Sequence, residues 1–429
     1  MRALSCSLIG SWVLLTVVCP PAAAVWQVET VDSAGKVGWY SSLACDSQDQ
    51  LHVSYFDESN GALKYARWNG SDWAVQTVDA DDCGRYTSLA LDAQDRPHIT
   101  YAGSGLRYAR WTGKKWEITQ VTRDYVQFST SLALGPDGTC QIAYNAGQRL
   151  AYARQDGRAW QIQMLDVRGG PMDCDLALDR RGWARIVTVI NRSDDLKLLA
   201  WNGKAWLPND PPATPANDGY WPSLAVDAAG GLHVSSWESN HGRHSSGNLQ
   251  YRYFDGKRWF LELPDTEGDT GWYSSLALDS EGNVHVGYHN HTDWDLKYAV
   301  KRNGTWHNQV VDASGQVGYS ASLALDTRGR PRISYYDVGQ HDLKVARWRE
   351  GTNTVSGAVV NSGPVVVFLR SQTLLASTRT DRQGRFRFDQ VPTGEYAVAP
   401  AGRGRAFQPQ QAFILLDHDT RKEISFTGR

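Results

Sequence analysis

One phrase recurs seven times in this chain, and it constrains the fold more than any other feature. It reads "SLACD" at 42–46, "SLALD" at 88–92, "SLALG" at 131–135, "DLALD" at 175–179, "SLAVD" at 223–227, "SLALD" at 275–279 and "SLALD" at 322–326. Each copy is followed by a short polar turn and a segment such as "LHVSY", "PHITY", "VHVGY" or "PRISY", then by a third such as "LKYARW" or "LRYARW". A tight turn and a tryptophan complete the unit. Those tryptophans are Trp26, Trp73, Trp116, Trp160, Trp206, Trp259 and Trp306, at spacings of 47, 43, 44, 46, 53 and 47. Short apolar runs bounded by Gly, Asn and Asp read as strands. Four such strands per period, here named a to d, predict an all-β chain whose units are the blades of a seven-bladed β-propeller.

Turn chemistry agrees. The c–d turns in "WNGSDW", "QDGRAW", "WNGKAW" and "FDGKRW" carry Asn-Gly or Asp-Gly, which suit two-residue hairpins that need positive φ at both central positions. The order of the strands predicts how the ring closes. "WQVETV" at 26–31 is a d strand with nothing before it, while the last unit ends near "KVARWRE" at 344–350 with a, b and c but no d. The N-terminal strand is therefore expected to complete the last blade and remove an open sheet edge. The propeller is assigned to 25–350.

Residues 1–24 read as a secretory signal peptide. Arg2 supplies the positive start, Leu8 to Val18 the apolar stretch, and Ala22-Ala23-Ala24 the small-residue cleavage site. The apolar run is too short to span a bilayer, so a secreted or periplasmic protein with no membrane span is expected. Cys45, Cys83, Cys140 and Cys174 remain after cleavage. Four cysteines allow three pairings, but alternation of strand direction puts no obvious pair at one level of adjacent blades, so mostly free thiols are expected. The 44 basic and 46 acidic residues balance, which argues against a nucleic-acid partner held on a basic surface.

Residues 353–429 change character. "TVSGAVV", "GPVVVFLR", "LLASTRTD", "GRFRFDQV", "GEYAVAPA", "AFILL" and "KEISFTG" read as seven strands of a small β-sandwich. The stretch "TDRQGRFRFDQVPTGEYAVAP" resembles the carboxypeptidase regulatory-like domain family, with a transthyretin-like fold. The resemblance covers most of this segment and implies a spacer or adhesive module. The blade phrase with its following "ISYYD" and "LKYA" resembles repeats of secreted bacterial propeller proteins, which implies a fold and no chemistry.

A residue repeated in most blades is expected to be scaffold. His52, His98, His233 and His285 open strand b of their blades, where Gln141, Arg185 and Arg332 stand in the others. They are expected to bond the strand-a Asp nearby, as buried polar groups require partners. The d-strand tryptophans are expected to be packing anchors between blades.

Function is expected where blades differ. In a propeller the d–a and b–c loops share one face, at the channel mouth. The d–a loops place Trp39, Tyr40, Tyr86, Phe128, Tyr220, Trp221, Trp272, Tyr273 and Tyr319 there. Aromatic rings beside polar groups suit a carbohydrate or cell-surface ligand, rings stacking on the apolar face of a sugar. A plug of packed rings is the plain alternative. The b–c loop "WESNHGRHSSGN" adds Glu238, His241, Arg243 and His244, "YHNHTDWD" adds His289, His291, Asp293 and Asp295, and "YYDVGQHD" adds His341. These loops read as solvated chain, as a ligand rim, or as a metal or catalytic cluster, His-x-His spacing being a weak metal signal in a loop.

The loop at 237–253 is similar to His-rich segments of propeller-fold polysaccharide lyases. That similarity implies His244, Tyr251, His289 and Arg243 as catalytic candidates, with proton transfer needing groups about 3 Å apart. A third reading is an interaction scaffold whose channel mouth is closed by packing. No metal or cofactor is expected; acidic turns such as "PDTEGDTG" leave calcium open beside ordinary solvated loops.

Overall fold

A computed structural model describes residues 25–190, 195–213, 217–239, 246–349, 353–361, 365–370, 375–391, 394–402, 405–416 and 421–428. The proposed signal peptide, and His241, Arg243 and His244, lie outside the described residues. The chain divides into two compact units, Trp26–Trp348 and the remainder.

The larger unit contains seven four-stranded sheets among the described residues. Blade 1 is representative: a is Val37–Cys45, b Leu51–Asp57, c Ala62–Trp68 and d Trp73–Asp79. Six sheets follow this order, each from consecutive strands. The seventh pairs Tyr319–Leu325, Pro331–Asp337 and Asp342–Arg349, and its outermost strand is Val25–Asp32.

The repeated serine explains the phrase from which it comes. An inner strand presents an edge of amide groups that need acceptors. Ser42 Oγ accepts from the Leu89 amide, Ser88 from Leu132 and Ser131 from Leu176, each at 3.0 Å. In blade 4 an acid stands in for the serine, and Asp175 Oδ2 accepts from Leu224 at 2.7 Å. Ser223 then accepts from Leu276, Ser275 from Leu323, and Ser322 from Leu43, at 2.9–3.0 Å. The series of seven bonds returns to the blade from which it began.

The predicted His–Asp contacts are present, and a tyrosine of strand c completes each. His52 Nε2 donates to Asp46 at 3.2 Å, and Nδ1 accepts from Tyr65 Oη at 2.6 Å. The same arrangement joins Asp92, His98 and Tyr108, then Asp227, His233 and Tyr251, then Asp279, His285 and Tyr298. With the carboxylate accepting from Nε2, each imidazole is neutral and its second nitrogen takes the phenol proton. Burial lowers the basicity of all four histidines. Blades 4 and 7 replace this arrangement with Arg185–Asp179 at 2.8 Å and Arg332–Asp326 at 2.6 Å.

Five of the seven d-strand tryptophans pack edge-on against the strand-c tyrosine of the preceding blade; the blades before Trp73 and Trp259 carry Val345 and Leu198 there. Trp116 meets Tyr65 at 5.2 Å, Trp160 meets Tyr108 at 5.3 Å, and Trp306 meets Tyr251 at 5.2 Å. A second staple joins neighbouring blades at the end of strand d. Asp32 accepts from Tyr55 Oη at 2.6 Å and from Lys64, and Asp265 accepts from Tyr288 and Lys297 in the same way.

The smaller unit forms two four-stranded sheets among the described residues. Eight strands appear where the sequence suggested seven; the extra one is Phe407–Gln408, too short for a periodic signal. Val355, Val367, Phe386, Val398, Leu416 and Phe426, drawn from both sheets, form one buried cluster. The four cysteines are free thiols. No helix among the described residues is long and apolar enough to cross a membrane.

Candidate functional site: the channel mouth

Every inner strand slips register at its upper end. The ladder jumps from Trp39 to Ser42 in blade 1, from Arg85 to Ser88 in blade 2, from Tyr220 to Ser223 in blade 5 and from Trp272 to Ser275 in blade 6. A bulge leaves its residues unpaired and re-aims their side chains. The re-aimed residues include Tyr40, Tyr86, Phe128, Trp221 and Tyr273, all with φ between +49° and +70°. That conformation is unusual for an aromatic residue and costs energy. A glycine two residues before the bulged aromatic permits it in blade 1. A Cβ on Gly38, at φ +116°, would stand 2.9 Å from Leu343 Cα of the preceding blade.

The re-aimed side chains meet around a cavity of about 200 Å³. Tyr40, Tyr86, Phe128, Asp173, Trp221, Tyr273 and Ser320 line it, one from each blade. Tyr40 and Tyr86 lie 4.6 Å apart and Trp221 and Tyr273 4.7 Å apart. Asp173 replaces the aromatic residue in blade 4, where the bulge is a single residue between Met172 and Cys174. The residue is half-buried and keeps some accessible surface at the mouth. Burial pushes its pKa up to about 7, against a hydrogen bond from the Trp221 amide that favours the ion.

Outside this ring runs a belt of rings across blades 5, 6, 7 and 1. Trp221 stacks on Trp272 at 4.6 Å, and Trp272 stacks on His291 at 4.3 Å. His291 meets Trp294 at 4.8 Å, Trp294 meets Tyr319 at 5.9 Å, and Tyr319 meets Trp39 at 6.0 Å. Trp39 ends on Tyr336 at 4.6 Å. Asp269 anchors the belt by accepting from both Trp237 Nε1, at 2.7 Å, and Trp272 Nε1, at 3.0 Å.

The remaining sequence-named residues divide. His341 is exposed and its Nδ1 lies 2.7 Å from Tyr336 Oη. Glu238 accepts from Gln250 at 3.3 Å. His289 is fully buried beneath the belt, 4.4 Å from the Tyr319 ring, and donates Nδ1–H to the Val317 carbonyl at 2.8 Å. Burial lowers its pKa to about 4. Tyr251 spends its hydroxyl on His233 at 2.7 Å. The described catalytic candidates, His289 and Tyr251, thus bond other partners rather than each other.

Asp173, Trp237 and Trp294 belong to the mouth and its belt and were not singled out from the sequence. For Asp173 the signal was present: "MDCDLALD" puts an acid where other copies put Tyr, Trp or Ser.

A second, larger cavity of about 670 Å³ opens between blades 3 and 4 on the side of the a–b and c–d turns. Arg154, Arg180, Arg181, Trp183, Trp206 and Gln163 are among its walls. Gln141 is among its walls, in a blade that carries Gly135 and Gln141 where four others carry an Asp and a His. Among the described residues no group of three or more His, Cys, Asp or Glu side chains is arranged to hold a metal.

No protein-family model and no curated protein matches this chain. Solved structures do. A polysaccharide lyase described as an ulvan lyase bound to -[GlcA(1-4)Rha3S]- aligns over 75% of this chain and 98% of its own, at TM-score 0.54 and 12% identity. YCF48 bound to D1 peptide aligns over 76% and 96%, at TM-score 0.51 and 15% identity. The β-propeller domain of Cps50 (Swd1) from Myceliophteria thermophila aligns over 75% and 99%, at TM-score 0.50 and 12% identity. At such identities the likeness gives the fold alone: the repeated sheets of this chain form a β-propeller.

Proposed function

We propose that this is a secreted recognition protein that binds a carbohydrate at the upper mouth of its propeller channel. One observation carries the reading. Strained bulges in successive blades turn aromatic side chains toward one cavity, and an outer belt of rings surrounds it. Backbone strain repeated at one place needs a return, and ligand contact is the usual one. Ring faces receive the apolar face of a pyranose, while the Asp173 carboxyl offers a partner to its hydroxyls. The ulvan lyase is a saccharide-bound propeller, which supplies a precedent for the fold but not for these residues. The C-terminal unit, read as a carboxypeptidase regulatory-like module, would act as a spacer.

The test is a glycan array with the full chain, repeated with Tyr40→Ala and Trp221→Ala. Both variants should lose the signal while circular dichroism shows an intact fold. Retained binding in both, or no binding by the unaltered chain across acidic, neutral and amino glycans, overturns the proposal. Unsaturated uronate product released from a bound polymer would instead favour a lyase.

A further inference from the structure

The mouth is ringed by aromatic side chains from five blades, and Asp173 is the one charged side chain among the described residues lining it. No lysine, arginine or histidine lines the cavity with it. A carboxylate withdrawn from bulk water without a cation is costly. Several buried or half-buried acids elsewhere do have a cation: Asp32 has Lys64, Asp79 has Arg107, and Asp326 has Arg332.

The groups packed around Asp173 leave that need unmet. Its own strand carries Cys174, whose thiol burial pushes up to about 12, and Asp175, whose carboxyl burial also raises. Across the mouth stand the phenols of Tyr40, Tyr86 and Tyr273, with Arg85 and Glu58 near Tyr40. Blade 3 contributes Phe128 and Ser129, and blade 5 contributes Trp221 and its amide. None of these neutralises the carboxylate from inside the cavity.

Electron-rich rings that line one cavity with a carboxylate attract an organic cation, through the ring quadrupoles and the charge together. A hard metal ion is a poor fit, since it takes six or more oxygen ligands or near-octahedral geometry. The space suits one small group: about 200 Å³ lies below the roughly 300–1,000 Å³ of pockets that engulf a drug-sized ligand. We propose that the channel mouth holds an organic ammonium group on the Asp173 carboxylate, inside the ring formed by Tyr40, Tyr86, Phe128, Trp221 and Tyr273. This rests on the glycan reading in one respect: it makes the preferred ligand an amino sugar.

The experiment is calorimetric titration of the full chain at pH 7.5 and low salt. Glucosamine tetramer is compared with N-acetylglucosamine tetramer, and tetramethylammonium serves as a sugar-free cation. The free amine should bind about tenfold tighter than the acetylated sugar or more. Asp173→Asn should bring the two saccharides level, and Tyr40→Leu, which removes one ring face, should weaken tetramethylammonium about threefold. Because that cation does not titrate, its affinity should rise between pH 6 and pH 8 in the unaltered chain and stay flat in Asp173→Asn.

Equal binding of both saccharides, or a preference that survives Asp173→Asn, overturns the ammonium site and leaves glycan recognition standing. If neither saccharide binds, the amino-sugar ligand falls, the wider glycan reading is decided by the array, and tetramethylammonium decides the cation site alone. Binding that Asp173→Asn weakens supports the site, and absence of binding overturns it.

Discussion

Blades 1, 2, 5 and 6 share a backbone plan with blades 3 and 4, yet they satisfy the polar groups buried at one position with different residues. In the first set an acid, an imidazole and a phenol satisfy one another in sequence. Burial works to raise Asp92, but bonds from Arg96 and His98 and from backbone amides outweigh it and hold the carboxyl at about 2. Blade 3 has lost the acid and the imidazole: Gln141 donates to the Gly182 carbonyl at 3.1 Å and accepts from Tyr152 at 2.6 Å. Blade 4 carries two inner-strand acids whose carboxyls burial raises. Blades 3 and 4, which depart from the Asp–His–Tyr arrangement, border the larger cavity and carry the acid of the channel mouth.

The comparison breaks most directly by deletion. His285→Ala would leave the carboxylate of Asp279 and the hydroxyl of Tyr298 buried without their common partner. Stranded polar groups of this kind cost about 3 kcal/mol. The matching change in blade 3, Gln141→Ala, strands only neutral groups and should cost about 1 kcal/mol. Urea midpoints of the two variants measure the difference. Equal losses would show that the Asp–His–Tyr arrangement is no stronger than its replacement.

Acid should act next, and on the regular blades. His52, His98, His233 and His285 are less basic folded than unfolded. Below about pH 6.5 the unfolded chain therefore binds more protons than the folded one, and stability falls as pH drops. The melting temperature should decline from pH 7 to pH 5, less steeply in His285→Gln. A flat profile would mean that these imidazoles are not held neutral.

The regular blades were also the legible ones, for a physical reason. A residue found at one place in several copies must do a job that every copy needs, so His52 and its equivalents could be assigned to scaffold. The same logic, taken one step further, covers two catalytic candidates. Tyr251 shares its position with Tyr65, Tyr108 and Tyr298, and each of the four bonds a strand-b histidine. His289 shares its position with Phe56, Trp237 and Tyr336, all buried. The mouth was legible only in part. Its aromatics could be named from their loops, but the place of Asp173 among them depends on side chains from six other blades that no local pattern brings together.

Asp173 should respond to pH in the sense opposite to the histidines. Its folded carboxyl lies near 7 and an unfolded one near 3.9, so the folded chain binds the extra proton between those values. Stability is lost as pH rises through that window. Asp173→Asn should therefore raise the melting temperature above pH 7 by about 2 °C or more, and change little near pH 4. A variant less stable at pH 8 would show that the carboxylate is already neutralised in the free protein.

The smallest expected effect would sharpen the comparison by repairing the outlier. Gly135→Asp with Gln141→His would give blade 3 the acid and imidazole of its neighbours, beside a Tyr152 that already points its hydroxyl at position 141. A Cβ at Gly135 would clash with the end of the Asp137 side chain at 2.7 Å, its other neighbours standing at an ordinary 3.5 Å, and that carboxylate is exposed enough to swing away. The repaired blade should gain about 1 kcal/mol at pH 7.5 and lose that gain by pH 5, where the new imidazole takes up a proton. Each single change should destabilise, since each introduces one buried polar group without its mate. A double variant no better than the sum of its parts would mean that the arrangement draws its strength from the surrounding blade, and that blade 3 diverged too far for two residues to restore it.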